Sequence, residues 1–363
     1  MKLFTCQHCD QVLYFENVRC EKCGCRLGYL AETNVLSALE PAADAKDATP
    51  GQPGIWQALA ARGKLFRFCA NAAYHACNWL IPADAAESYC IACRHNRTVP
   101  DLTPADNVFA WRKLEMAKHR LFYTLLKLRL PLANRVDAPA YGLVFDFLAE
   151  APTQAVPKVM TGHDNGVITI ALAEADDAER EKRRLTMGEP YRTLLGHFRH
   201  EVGHYFWDRL VADSTALTAC RAVFGDESED YGQALQAYYD NGPPADWQNN
   251  FVSAYATAHP WEDFAETWAH YLHIVDTLEM ANAFGLRIRP HVDKSAELAI
   301  EIDLDPYREG NIQRITDAWL PLTFAVNSLN RCMGVPDLYP FVLSPAIIDK
   351  LGFIHDLVHA RRA

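Results

Sequence analysis

Nine of the 11 cysteines in this 363-residue chain lie within its first 93 residues, and their spacing constrains the fold more than any other feature. Two CxxC pairs come first, and each pair can wrap one turn around a corner of a tetrahedral zinc ion. Residues 12–15 between the pairs predict a short strand. We therefore predict a zinc-ribbon-like unit, in which Cys25 can take the place of Cys23. The predicted ligands are Cys6, Cys9, Cys20 and Cys23.

Disulfides are the alternative for so many cysteines, because an even set can also cross-link a secreted domain. The residues before Cys6 contain no apolar stretch long enough for a signal peptide. We therefore expect a cytoplasmic location, where thiolates stay reduced and the folding of so small a region depends on its metal. The two isolated cysteines, Cys220 and Cys332, are expected to be buried packing residues.

The segment 200–204 reads HEVGH and lies within apolar residues of helical period. Positions i and i+4 share one face of a helix, so His200 and His204 can bind one metal ion while Glu201 faces a water activated by it. Pro190 is the predicted start of this helix. A catalytic zinc takes three protein ligands, and Leu210 excludes a third histidine six residues past His204. The third ligand must therefore come from another segment.

A downstream ExxxE pair, Glu262 and Glu266, supplies the candidate, because it follows Pro260 at the start of a second predicted helix. This spacing lets Glu262 bind the metal while Glu266 hydrogen-bonds the outer nitrogen of a ligand histidine. An exposed acidic helix face is the alternative for the two glutamates. His270 and His273 on the same helix are rival ligands, but each is expected to be a partly buried packing residue, because a three-histidine set would leave the glutamate pair without a role.

The HEVGH motif ends at His204, and EDFAE begins 58 positions later, at Glu262. This combination resembles the gluzincin metallopeptidases. The stretch AYATAHPWEDFAETWAHYLH resembles the bacterial zinc-binding metallopeptidases that carry an N-terminal zinc ribbon, and this resemblance covers nearly the whole chain. It implies a second structural zinc at a cysteine set that also ends in a CxxC pair. That set is Cys69, Cys77, Cys90 and Cys93. Three nearby histidines are expected to be bystanders, although each can replace a cysteine ligand, namely His8, His75 and His95.

Two further site expectations rest on resemblance. A likeness to lethal-factor-type gluzincins implies that a tyrosine seven residues before the ligand glutamate, here Tyr255, donates to the oxyanion; packing in the core is its alternative.

In zinc peptidases with this helix order, an edge strand beside the HExxH helix holds the substrate. Our candidate strand follows the turn at 164–166, with an interior strand as the alternative. Its residues are Val167, Ile168, Thr169 and Ile170.

The predicted fold is α+β, with a zinc-ribbon region over 1–100 and a mainly helical, zincin-like metallopeptidase domain with a small sheet over 101–363. No apolar stretch is long enough to cross a membrane, and the net charge of −11 argues against nucleic-acid binding. Three further helices and one further strand are predicted. They are a helix that starts within 103–106 and runs to Pro131, helices at 312–329 and 346–360, and a strand at 143–148.

Together these patterns predict a zinc peptidase with one catalytic and two structural zinc ions, acting on a peptide or protein substrate. His200, His204 and Glu262 would bind the catalytic zinc, and Glu201 would act as general base. The alternative hypothesis is a non-enzymatic adaptor whose zinc ribbon binds a protein partner and whose HExxH domain is a scaffold. Glu201 favours the enzyme, because a scaffold does not need it.

Overall fold

A computed structural model describes residues 2–42, 54–149, 159, 161–187, 192–292 and 295–360. The chain divides into two compact units. The first is Met1–Gly162 with Gly166–Asp177, and the second is His163–Asn165 with Ala178–Ala363. The predicted domains, 1–100 and 101–363, stay a prediction, and residues 101–162 belong to the first compact unit.

The first unit begins with a small antiparallel hairpin of β1 (Phe4–Thr5) and β2 (Val12–Leu13). An antiparallel sheet follows, with its strands in chain order. Its strands are β3 (Arg26–Leu30), β4 (Val35–Pro41), β5 (Trp56–Ala58), β6 (Leu65–Phe68) and β7 (Leu80–Pro82). Its core consists of Leu30, Leu39, Ala58, Phe66 and Leu80. Gly28 keeps β3 close to this core, since a Cβ there would lie 2.6 Å from Leu80 Cγ.

A long helix and a second sheet complete the first unit. The helix is α1 (Ala105–Lys127), and its buried apolar side includes Trp111, Leu114, Leu121, Phe122 and Leu125. Strand β9 (Val144–Leu148) pairs in parallel with β8 (Asn96–Thr98) and with β11 (Val167–Ala171). With β10 (Gly162–Asp164), the sheet order is β10, β11, β9, β8. The strands predicted at 143–148 and 167–170 are thus both present.

The second unit is mainly helical. Its described helices and strands beyond residue 177 follow in chain order. They are α2 (Asp177–Met187), α3 (Leu194–Trp207), α4 (Leu217–Phe224), α5 (Tyr231–Asn241), α6 (Pro260–Ala283), β12 (Arg287–Ile288), β13 (Ile300–Glu301), α7 (Ile312–Cys332) and α8 (Pro345–His359). Helix α3 begins later than predicted, because Thr193 caps it by accepting a hydrogen bond from the Gly196 N–H at 3.0 Å. Pro190 lies outside the described residues.

Helices α3 and α6 pack tightly against each other, because a glycine faces a small residue across them. A Cβ on Gly203 would lie 3.0 Å from the Ala265 Cα. The ring of Phe206 stacks on Trp268 with centroids 5.0 Å apart. A buried ion pair between Arg199 of α3 and Asp276 of α6 adds a polar link. Packing and charge pairing among protein groups therefore fix the spacing of these two helices.

The observed fold is α+β, as predicted, with a ribbon region first and a mainly helical part after it. None of the described helices combines the length and the apolar character needed to cross a lipid bilayer.

Candidate metal centres

Helix α3 places the two histidines of the HEVGH segment on one face, because they are four residues apart. Their Nε2 atoms lie 3.2 Å from each other. His204 is buried, and the indole of Trp261 lies over its ring with centroids 3.8 Å apart. Two imidazole nitrogens therefore point at one position beside the helix.

Helix α6 brings a carboxylate to the same position. Glu262 Oε2 lies 3.0 Å from His200 Nε2 and 3.4 Å from His204 Nε2. Ligand atoms bound to a tetrahedral zinc at 2.0–2.2 Å lie about 3.3 Å from one another, so these separations fit a shared zinc ion. Burial raises the pKa of Glu262, but the two histidines lower it well below its usual range. No residue in the described part of the chain forms a hydrogen bond with Glu262 Oε2, which leaves this oxygen able to bind a metal.

Glu266 holds the first ligand histidine in orientation. Its Oε1 accepts a hydrogen bond from His200 Nδ1 at 2.7 Å, while the Ser253 hydroxyl donates to Oε2 at 2.6 Å. With Nδ1 occupied in this way, His200 Nε2 is left for the metal. Burial raises the pKa of Glu266, but its bonds to His200 and Ser253 bring it down to about 2. The orienting group is therefore a carboxylate at neutral pH.

Glu201 follows the first ligand histidine and is 9% exposed. Its carboxylate makes no hydrogen bond or ion pair to any residue in the described part of the chain, and it is not among the three convergent ligand groups. A carboxylate that is neither a ligand nor engaged elsewhere remains able to accept a proton.

The first four cysteines form two matching turns. The Cys6 carbonyl accepts the Asp10 N–H at 2.9 Å, and the Cys20 carbonyl accepts the Gly24 N–H at 2.8 Å. Asp10 and Gly24 both have positive φ, which closes each turn. The Sγ atoms of Cys6 and Cys23 lie 3.7 Å apart, and those of Cys9 and Cys20 lie 3.6 Å apart. Thiolates on a tetrahedral zinc are about 3.8 Å apart, so the predicted set fits zinc.

Cys25 stays a candidate replacement, because Cys23, Cys25 and His8 also lie within reach of one ion.

The two cysteines predicted to be buried differ from each other. Cys220 is buried, but Cys332 is exposed. The prediction for Cys332 was wrong because this residue is the last of α7, where its side chain lies outside the helix packing.

The second cysteine set also converges, in the first unit. Cys69, Cys77, Cys90 and Cys93 lie close enough to bind one ion together, and the Sγ atoms of Cys77 and Cys90 are 3.8 Å apart. This site is more buried than the first, since three of its four cysteines are inaccessible to solvent. His95 is turned to the Ile91 carbonyl at 2.7 Å, and it belongs to none of the groups that can bind an ion.

Comparisons with known proteins agree with this geometry. A family model described as "Putative zinc-binding metallo-peptidase" matches residues 107–357. The chain belongs to this zinc-binding metallopeptidase family. A second model, described as "zinc-ribbon domain", matches residues 3–104 of the metallopeptidase.

Three relatives of this metallopeptidase extend over almost its full length. They are uncharacterized proteins of Mycobacterium bovis and of two strains of Mycobacterium tuberculosis. Each is 41% identical over 359 residues, which make up 99% of this chain and 95% of the relative. No solved structure matches the chain.

The rival ligands of the metallopeptidase are engaged elsewhere. His270 Nδ1 lies at hydrogen-bond distance, 2.7 Å, from the Tyr339 hydroxyl. His273 Nδ1 contacts the guanidinium of Arg199. Neither histidine belongs to the convergent group of His200, His204 and Glu262. Both therefore have the packing role that was the alternative to metal binding.

Two tyrosines lie at the site of the metallopeptidase. The Tyr255 ring is 6.0 Å from the His200 ring, between centroids, and burial raises the pKa of its phenol. Tyr231, at the start of α5, donates its hydroxyl hydrogen bond to Glu262 Oε1 at 2.7 Å. The sequence argument missed Tyr231 and Ser253. Neither belongs to a motif, and no periodic pattern singles them out.

The expectation of a substrate-holding edge strand at 167–170 needs correction. Strand β11 has β9 on one side and β10 on the other in the sheet order, so it is an interior strand. Interior strands have their main-chain groups engaged by neighbours and cannot add a peptide strand. The alternative of an ordinary interior strand is the observed one for Val167, Ile168, Thr169 and Ile170.

Proposed function

We propose that this metallopeptidase is a gluzincin-type zinc peptidase that hydrolyses peptide bonds. One observation carries the proposal. Three ligand atoms of α3 and α6 lie 3.0–3.4 Å apart, and the buried Glu201 next to them forms no hydrogen bond or ion pair with these ligands. In this proposal His200, His204 and Glu262 hold the zinc, and Glu201 is the general base. The family match supports the chemistry, and the arrangement of the side chains supports the roles.

When bound, zinc supplies Lewis acidity that activates a water molecule and polarises the scissile carbonyl. Glu201 accepts the proton of the attacking water and later passes it to the leaving amine. The role of Glu266 is to hold His200 in one orientation through the 2.7 Å bond to Nδ1. Tyr231 likewise holds Glu262 in one orientation, because its hydroxyl donates a hydrogen bond to Oε1, the carboxylate oxygen that does not bind the zinc.

The general base is tested by Glu201→Gln. Glutamine keeps the size of the side chain but cannot accept a proton, so we expect hydrolysis of a quenched fluorescent peptide library to fall by about 10²–10⁴-fold while the zinc content is unchanged. The matched control is Glu279→Gln, a second buried glutamate, at the far end of α6. Loss of zinc together with activity would show that Glu201 is a ligand or a structural group instead.

We propose Tyr255 as the phenolic donor to the oxyanion that forms at the scissile carbonyl. Its raised pKa keeps the phenol protonated and able to donate. Tyr255→Phe is then expected to lower kcat about 10²–10³-fold with little change in KM, because the hydrogen bond forms only in the transition state. An unchanged kcat would leave Tyr255 as a packing residue.

We also propose that each cysteine set holds one structural zinc, which requires a reducing compartment such as the cytoplasm. The segment between β2 and β3 exposes apolar side chains, with Tyr14 51% and Val18 62% accessible. Exposed apolar groups of this kind support a protein partner at the ribbon as a second function. If the wild-type protein binds its zinc but cleaves no member of the library, this adaptor function replaces the peptidase.

A further inference from the structure

Helix α1 brings a histidine into the second cysteine site, where the CxxC spacing gave no reason to expect one. His119 Nε2 lies 3.3 Å from Cys77 Sγ and 3.6 Å from Cys93 Sγ. A nitrogen and a sulfur bound to the same tetrahedral zinc are about 3.6 Å apart. His119 is buried, and it also groups with Cys93 and Glu115 as residues able to hold an ion. His119 Nε2 therefore lies at ligand-to-ligand distance from two of the four cysteine sulfur atoms.

The orientation of His119 is that of a metal ligand. Its Nδ1 lies 2.7 Å from the Glu115 main-chain carbonyl, which can only accept a hydrogen bond. Nδ1 therefore donates, and Nε2 faces the sulfur atoms. Histidines that bind metals are held in this way, with the outer nitrogen donating to a carbonyl or carboxylate.

Cys93 differs from the other three cysteines in its surroundings. The sulfur atoms of those three each lie within 3.4–3.5 Å of a main-chain N–H, which stabilises a thiolate. In the described part of the chain Cys93 Sγ accepts no such bond and instead lies 3.6 Å from Glu115 Oε2. Lys118 Nζ lies 2.8 Å from the other oxygen of that carboxylate. Cys93 therefore lacks the main-chain hydrogen bond that stabilises the other three thiolates, so it is the most readily replaced donor.

We propose that His119 is a fifth donor of the second zinc site and can take the corner of Cys93. The zinc is then held by Cys69, Cys77 and Cys90 together with either Cys93 or His119. This ligand comes from the segment matched by the metallopeptidase model, whereas the cysteines belong to the segment matched by the ribbon model. The inference does not depend on the peptidase activity.

The test compares four variants of the full-length protein by elemental analysis after dialysis against a chelator. Cys93→Ser and His119→Ala are each expected to keep as many zinc ions as the wild type. The double variant Cys93→Ser, His119→Ala is expected to lose one zinc per chain. The matched control combines Cys93→Ser with His95→Ala, which removes a buried histidine whose Nδ1 also lies 2.7 Å from a carbonyl but which is in no ion-binding group. It is expected to keep its zinc.

Three results would overturn the proposal: loss of the zinc in Cys93→Ser alone, retention in the double variant, or equal loss in the His95 control.

Cobalt substitution gives a second measurement if the double variant does not fold. Cys93→Ser loaded with Co²⁺ should keep a tetrahedral spectrum with weaker thiolate charge transfer, and its ligand-field bands should shift when His119→Asn is added. Bands that do not change with His119 would mean that the fourth ligand is not this histidine. If the wild-type site took up two metal ions, Cys93, Glu115 and His119 would hold a separate ion. This result would also contradict the proposal.

Discussion

The site between α3 and α6 and the first cysteine site differ in how the fold holds their candidate ligands. Helices α3 and α6 are held together by Gly203 against Ala265, by stacked rings and by a buried ion pair, so their ligands are in place through protein contacts. The first cysteine site lies on turns beside strands of two residues each. Such a hairpin buries too little apolar surface to be stable alone. The difference indicates that one metal site is organised by the fold, whereas the other organises it.

Removal of all metal is expected to have the largest effect and to separate the two regions. Structural zinc contributes roughly 10–16 kcal/mol to the folding of small zinc domains. With a strong chelator, hydrogen exchange should therefore show loss of protection in residues 4–25, while residues 194–207 and 260–283 keep theirs. Equal loss of protection in α3 and α6 would break the comparison, because it would mean that those helices also depend on metal.

Removal of the groups that orient His200 is expected to have a smaller effect, limited to one site. Glu266→Ala should weaken zinc binding at α3 and α6 by about 10–100-fold, because His200 loses the partner of its Nδ1. Ser253→Ala should weaken it less, since Ser253 acts only through Glu266. Competition with a graded chelator measures both values, and the cysteine sites of the same protein are the internal control. A similar weakening at those sites would point to general destabilisation.

The smallest expected effect is a pH dependence in the first unit. Burial raises the pKa of Asp146, but Arg97 lowers it by a larger amount. The pKa of Asp146 is therefore below its usual value. A carboxylate with a lowered folded-state pKa stabilises the protein above its unfolded pKa, and this contribution is lost as pH falls through the folded value. Asp146→Asn should therefore reduce the free energy of unfolding by more at pH 7 than near pH 2. Urea denaturation at both pH values measures this, and an equal deficit at both would contradict the ion pair as its cause.

The parts of the sites that could be predicted from sequence are those carried by short spacings. Two histidines four residues apart on α3, two glutamates four residues apart on α6 and the CxxC pairs each place ligands through local backbone geometry alone. The segment from Pro260 also shows its helix start directly, because proline fits the first turn. These features required no knowledge of tertiary contacts.

The parts that could not be predicted depend on contacts between distant segments. Tyr231 meets Glu262 from 31 residues away, and His119 meets Cys93 from 26 residues away. His119 does carry one signal, because it is a polar residue on the buried side of α1, two positions before Leu121. The edge-strand prediction failed for a related reason: strand patterns give the faces of a strand but not its neighbours. Pairing partners are decided by the whole sheet.

Metal analysis of the wild-type protein and of a His200→Ala, His204→Ala double variant tests the central claim most directly. The account predicts about three zinc ions per chain, falling to about two in the variant, with the protection of residues 2–42 unchanged. A count that does not change would show that α3 and α6 bind no zinc, and would contradict the proposed active site.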